Sequence, residues 1–368
     1  MASSSSSAAA AATAAVRARL QRLLQEHEFD ASATASANLS WKPEVAENHH
    51  LRDEAATYEL PLALCAALLA PGETKYSDAR DDGEPLCHVK QTQDANGAAS
   101  SEEKDSSGPE EDLGDFGPWA QKPALDCLMN CLDAWESSQS PPSRPAFSMT
   151  VPGVVEVEKD LAERPLACAS IIAAWQALKT VCASETSQTQ CSTNVDKSVD
   201  ALFQALGVGG VLQLLGHRMT IGTLPVLCPA VSLLLSAFEK PNREGKPLSV
   251  GGRALAKHCT RGAADWWGGA NGNDAAKNAR ARARLLYILR DASWVNVHVL
   301  PAGDKQTALA VAEIRCAEGY GARWTADGKM FRGFLEPVAY FQHGRVSSGQ
   351  AESATSGVDD SSGLSSTA

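Results

Sequence analysis

WVNVHVLPAGDKQTALAVAEIRCAEGYGARWTADGKMFRGFLEP, residues 294–337, is the stretch whose reading decides the fold. It holds three β-like runs, 294–300, 309–316 and 320–337, and the last folds back on itself at Asp327-Gly328. Asp-Gly between alternating residues is a strong short-range hairpin signal, because the tight turn needs residues that tolerate positive φ. Read as a two-residue loop, it sets Ala326 opposite Lys329, Trp324 opposite Phe331 and Arg323 opposite Arg332. Two arginines placed directly opposite repel unless a negative group lies between them. Glu336 and a bound anion are the two candidates for that group.

Strict alternation assigns the faces. Val295, Val297 and Val299 point one way, and Trp294, Asn296 and His298 the other. In the second run Glu313 and Arg315 lie opposite Ala312, Ile314 and Cys316. The hairpin puts Tyr320, Trp324, Phe331 and Leu335 on one face and Arg323, Arg332, Phe334 and Glu336 on the other. With the polar faces aligned, Asn296, His298, Glu313, Arg315, Arg323, Arg332 and Glu336 make one charged patch. A histidine between a carboxylate and arginines is equipped for acid–base chemistry. The same residues also read as an ion-pair lattice on a solvated sheet face, and both readings stand at this stage.

Immediately upstream, residues 274–292 predict a long helix. Ala281, Leu285, Ile288 and Leu289 face a core, and Lys277, Arg280 and Arg284 share another side. Ser249 is placed to cap a helix running to His258, with Gly251 and Gly252 in its first turn. Backbone N–H groups at Gly251, Gly252 and Arg253 suit an anion. The spacing is neither a P-loop nor a dinucleotide fingerprint, and a plain helix start is the alternative. Lys257-His258-Cys259-Thr260-Arg261 and Asp265-Trp266-Trp267-Gly268-Gly269 gather His, Arg and paired Trp around glycines. That composition reads as a pocket wall or as a surface loop.

Earlier in the chain, helices are expected around Leu125–Trp135, from Pro165, and through Val195 to Leu206, where Gly207 stops the run; residues 151–157 could make a short strand. The apolar block 208–238 is interrupted by His217, Arg218, Gly222, Pro225 and Pro229. No clean run of about 20 apolar residues survives there, so core helices are expected and no membrane span. A further helix is expected over 60–70. Residues 72–117 are acidic and poor in apolar residues, and with the tail after 345 are expected to be disordered. Residues 1–25 contain no acid and carry Arg17, Arg19 and Arg22. They read either as an organelle-targeting segment or as an amphipathic helix on Val16, Leu20, Leu23 and Leu24. Without targeting, the expected compartment is cytoplasm or nucleus.

Charge is unevenly shared. Residues 240–345 hold 17 Lys/Arg against 9 Asp/Glu, a net of +8 inside a chain of net −11, which leaves −19 for the rest. The same segment holds 10 of the 21 aromatic residues. A basic, aromatic module in an acidic protein suggests an anionic partner, although the acidic part could equally screen it. Ten cysteines follow no disulfide framework, which fits a reducing compartment. They assemble no zinc ligand set, and no cofactor fingerprint is present.

Residues 251–258, the Trp266-Trp267-Gly268 block, Lys277-Asn278, residues 294–298, Gly319-Tyr320-Gly321-Ala322-Arg323-Trp324 and Arg332-Gly333-Phe334-Leu335-Glu336-Pro337 resemble signature blocks of a eukaryotic family of unknown function. The resemblance implies that these blocks belong together and supplies no activity. The expected architecture is α+β, a helical layer packed on a small, mostly antiparallel sheet. Residues 1–15 are a disordered or targeting end, 16–71 a helical segment, 72–117 a linker, 118–345 the α+β domain and 346–368 a tail. The expected function is a binding module for a nucleotide, a phosphorylated metabolite or RNA. Its ligand-binding residues are Gly251, Gly252, Arg253, His258, Arg261, Trp266, Trp267, Lys277, Asn296, His298, Arg315, Tyr320, Arg323, Trp324 and Arg332. Two alternatives remain open: an enzyme with a histidine-centred acid–base site drawn from His258, His298, Glu313 and Glu336, and a scaffold for protein partners.

Overall fold

The β-like runs form a four-stranded antiparallel sheet in the order β1 (Ala292–Leu300), β2 (Leu309–Cys316), β3 (Gly321–Thr325) and β4 (Phe331–Leu335). The computed structural model describes residues 2–27, 61–70, 116–143, 156, 161–184, 191–260, 264–300 and 309–337. The tail after 345, all but the last two residues of the 72–117 segment, and Arg261 lie outside the described residues, as does the 151–157 run apart from Glu156, which bridges to Thr220. Asn296 opposes Glu313 across β1–β2, and Glu313 opposes Arg323 across β2–β3. The outer edge of β1 is not open. Arg218 N–H donates to Val295 O at 2.8 Å, Leu224 N–H to Val297 O at 2.8 Å, and Val299 N–H to Gly222 O at 2.9 Å. Covering an edge in this way removes a row of unpaired backbone groups.

The hairpin corrects the expected register. Its loop is closed by Thr325 N–H donating to Met330 O at 2.9 Å, with Gly328 at φ +73°. The loop therefore has four residues, and the Asp327 carboxylate holds it by accepting from Thr325 Oγ1 and from Lys329 N. Trp324 does oppose Phe331. Beyond that pair the register slips by one, so Arg323 faces Gly333 rather than Arg332. Arg332 is the extra residue of a bulge, exposed, and Gly333 beside it sits at φ +140°, where a side chain would be strained. One inserted residue reverses every side chain after it. Phe334 thereby joins Phe331 in the core, and Glu336 turns away from the arginine face.

The apolar sheet face is covered by α6 (Val231–Glu239), α7 (Val250–His258), α8 (Ala264–Trp267) and α9 (Asp274–Arg290). Phe238, Leu285, Ile288, Val295, Ile314, Trp324 and Phe331 share this cluster. Ser249 caps α7, its Oγ accepting from Gly252 N–H at 2.9 Å, and is itself held by Asn278 of α9 at 3.0 Å. A Cβ on Gly251 would lie 2.1 Å from the Phe238 ring, and one on Gly252 2.3 Å from Asn278 Oδ1. Both glycines thus let α7 lie flush on its neighbours.

The helices before the sheet pack around a second cluster. They are α1 (Ala2–Glu26), α2 (Leu62–Leu69), α3 (Ala124–Ser138), α4 (Pro165–Ser184) and α5 (Cys191–Leu214), which share Val16, Leu20, Leu64, Leu128, Trp175 and Leu202. Gly207, at φ +60°, kinks α5 where the helical run was expected to stop. Three ion pairs tie α1 down: Arg17 with Asp126, Arg19 with Asp200 and Arg22 with Asp196. The architecture is α+β. One helix among the described residues, α4, is long and apolar enough by length and composition to cross a membrane.

Candidate active site

The C-terminal end of α7 meets the end of β4. His258 is the last residue of α7, and its Nδ1 lies 2.6 Å from Glu336 Oε1. Trp267 Nε1–H donates to the same oxygen at 2.7 Å. An ionised carboxylate can only accept, so in the neutral imidazole the hydrogen belongs on Nδ1 and the lone pair on Nε2. Nε2 makes no hydrogen bond among the described residues, and the His258 side chain keeps 17% of its surface exposed. Glu336 Oε2 is buried and, among the described residues, unpartnered. Trp267 fixes the couple from the side, its ring centroid 4.8 Å from that of His258. A histidine held in one tautomer by a carboxylate, with its far nitrogen open, is the arrangement of a general base.

An aromatic and cationic rim adjoins it. Trp266 stacks on Tyr320 at 3.8 Å with an 11° interplanar angle, and the Arg284 guanidinium lies 4.4 Å over the Trp266 ring. Burial pushes the Cys259 thiol up against the opposing charges of Arg280 and Arg284, which therefore lie within electrostatic reach of the residue after His258. Arg280 also donates to Asn271 O.

The second histidine–carboxylate pair is enclosed. Glu313, fully buried at the middle of β2, accepts from Arg315 Nε at 2.7 Å and from Arg323 Nε at 2.8 Å, with His298 Nε2 at 3.4 Å. Burial would raise this carboxyl. The His298 bond and the charges of Arg315 and Arg323 outweigh it and hold the group down at about 2. Arg315 reaches on to the backbone oxygens of Gly319 and Glu336, at 2.6 and 3.1 Å. Asn296 belongs to a different network, donating to Thr220 Oγ1 and accepting from Thr223 Oγ1.

The charged patch expected from alternation therefore divides. His298, Glu313, Arg315 and Arg323 do meet, but the first three are buried rather than solvated and Arg323 is half-buried at their edge. Arg332 is carried away by the bulge, and Glu336 goes to His258. Trp324 is core, its Nε1–H given to Leu234 O. Gly251 and Gly252 are buried at close-packed positions, Arg253 is half-buried on α7, and Lys277 pairs with Asp274 at 3.9 Å. Arg280 and Arg284 were visible as a basic stripe with Lys277 but not as members of the site. The contact across Trp266 places Arg284 there, and Arg280 lies within electrostatic reach of Cys259.

A family model described as the CdiA C-terminal tRNase toxin domain matches residues 238–336. The match spans the whole sheet and α7 to α9, and both members of the His258–Glu336 couple lie inside it. It covers little more than a quarter of the chain and nothing of α1 to α5. No curated protein and no solved structure matches the chain. The signature blocks from Gly251 to Glu336 thus fall within the one matched segment, and the model's name refers to a tRNase toxin, with nothing in the match marking it as eukaryotic.

One further group draws ligand atoms together: Asp291, Cys316 and Glu318, all within 4.8 Å of one another. Burial, first of all, pushes the Cys316 thiol up to about 12, with Glu318 adding to the shift. Asp291 accepts from Ala317 N–H and Glu318 from Tyr287 Oη. Local hydrogen bonds account for the cluster.

Proposed function

We propose that residues 238–336 bind and cleave RNA, with His258 as general base. The observation that carries this reading is the His258–Glu336 bond inside the segment matched by the tRNase toxin model. RNA supplies a nucleophile of its own, the 2′-hydroxyl. His258 Nε2 takes the 2′-O–H proton, the O2′–P bond forms, and the P–O5′ bond breaks. The 5′-oxygen leaves with a proton drawn from solvent. The products are a 2′,3′-cyclic phosphate and a 5′-hydroxyl. Glu336 orients the imidazole and stabilises its cationic form, the usual role of a carboxylate behind a catalytic histidine. Arg280 and Arg284 supply positive charge at the same rim, suited to holding the phosphate.

The test is incubation of the full chain with tRNA, followed by analysis of the product ends. Cleavage with cyclic-phosphate ends is expected. His258→Ala should lower the rate about 10²–10⁴-fold, the ordinary contribution of a positioned base. Glu336→Gln should cost less and change the pH profile, since the amide still reaches Nδ1 but carries no charge. Intact tRNA after incubation with the wild-type chain, or undiminished cleavage by His258→Ala, would overturn the proposal.

A further inference from the structure

We propose that Trp266 is a nucleobase platform, on which a base of single-stranded RNA stacks in the place that Arg284 now covers; this rests on the RNA-cleaving reading of the adjacent His258. The Trp266 ring is held from several sides. Tyr320 stacks beneath it at 3.8 Å, Trp267 abuts it edge-on at 4.6 Å with an 80° interplanar angle, and Tyr287 approaches at 6.0 Å and 74°. The upper face is covered by Arg284 alone among these neighbours, through a guanidinium 4.4 Å away. Among the described residues Arg284 has no carboxylate partner, so only a cation–π contact holds it there. Such a contact at a partly exposed site is weak. Stacking a base on an aromatic ring is the stronger interaction. A base therefore outcompetes the guanidinium for the ring, and the displaced cation is free to meet the phosphate of the same nucleotide.

Position supports the same reading. Trp267 touches the Trp266 ring on one side and the His258 ring on the other. The platform is thus one ring away from the proposed base, so a stacked nucleotide lies beside the scissile position. Bases inside a duplex have no free face to offer, so the substrate class is unpaired RNA, a loop or a single strand.

The experiment uses the full chain carrying His258→Ala, so that RNA remains intact, and compares a short oligouridine with the same strand bearing an abasic residue. The base-containing strand should bind about tenfold more tightly, the order of one lost stack. Trp266→Leu should bind both strands equally, and Trp266→Phe should keep the preference. Arg284→Ala should lower the slope of log affinity on log salt by about 0.7, one phosphate contact on a single strand. A strand carrying 5-iodouridine should photocross-link to Trp266. Equal binding of the two strands by the parent chain, or cross-links that survive Trp266→Leu, would overturn the platform. His258-dependent cleavage is read separately, so loss of the platform and loss of the nuclease reading are distinguishable outcomes.

Discussion

Glu313 shows how much a single carboxylate can be asked to hold. It is completely enclosed, yet two guanidiniums and an imidazole converge on it. Burying a charge costs heavily unless it is paired and hydrogen-bonded, and here each charge is the reason the others can stay. Glu313→Gln should therefore destabilise by about 3–5 kcal/mol, because it leaves buried positive charge uncompensated, and denaturant titration would read the loss. The pH dependence follows from the direction of the shift. The folded carboxyl is held at about 2, below its ordinary value of 4.5. Its contribution is fully present above about pH 4.5 and disappears as pH falls through 2, an effect of roughly 3 kcal/mol. Stability measured between pH 5 and pH 2 should fall more steeply in the wild type than in Glu313→Gln. The sequence announced this cluster by alternation, since His298, Glu313, Arg315 and Arg323 lie on one face. It could not announce the burial, because charged residues on alternate positions ordinarily mark the solvent side of a sheet.

At the scale of the element, several strand and helix limits were legible, and one register was not. Residues 309–316 form β2 as expected, and Ser249 caps the helix that ends at His258. The hairpin failed by one residue because Asp327-Gly328 fits a two-residue turn and a longer loop alike. Thr325 and Asp327 settle the choice through side-chain bonds that no pattern of polarity encodes. The consequence separates the two arginines that alternation paired. Arg332→Ala should change stability by no more than about 0.5 kcal/mol, as for an exposed residue. Arg323→Ala removes one of the partners of Glu313 and should cost clearly more, as thermal melts of the two variants would show. Equal losses would mean that the bulge is absent in solution. Gly251→Ala probes another element. Its new methyl would overlap the Phe238 ring, forcing α7 outward at about 1–3 kcal/mol, the cost of overpacking. Because α7 carries His258, the proposed cleavage should fall together with stability; a variant as stable as the wild type would show that Phe238 yields at no cost.

Across the whole molecule, the buried apolar residues divide between the helices α1 to α5 and the sheet with α6 to α9. The family match covers almost only the second group. The acidic surplus of the chain lies outside the basic 240–345 segment. We propose that the first group folds around α1 and that the RNA-directed chemistry resides in the second. The residues of α1 were open to two readings, a targeting segment or an amphipathic helix. Their packing motivates a test of the second reading: Ala12, Val16 and Leu20 are fully buried, and all three arginines engage carboxylates on α3 or α5. Burying a side chain such as Val or Leu is worth about 1.5–3 kcal/mol, whereas exposed ion pairs add little each. Deleting residues 1–27 should therefore lower the stability of the helical group by roughly 3–6 kcal/mol, chiefly by exposing the apolar neighbours of Val16 and Leu20. The sheet with α6 to α9 has its own apolar cluster and, on the proposed reading, should keep its own melting transition and the proposed cleavage of tRNA. Calorimetry of the truncated chain, with the cleavage assay beside it, reads both quantities. An unchanged melting profile would mean that α1 contributes nothing to folding, and the targeting reading would then be favoured. A concerted loss of both transitions would mean that the two cores fold as one unit.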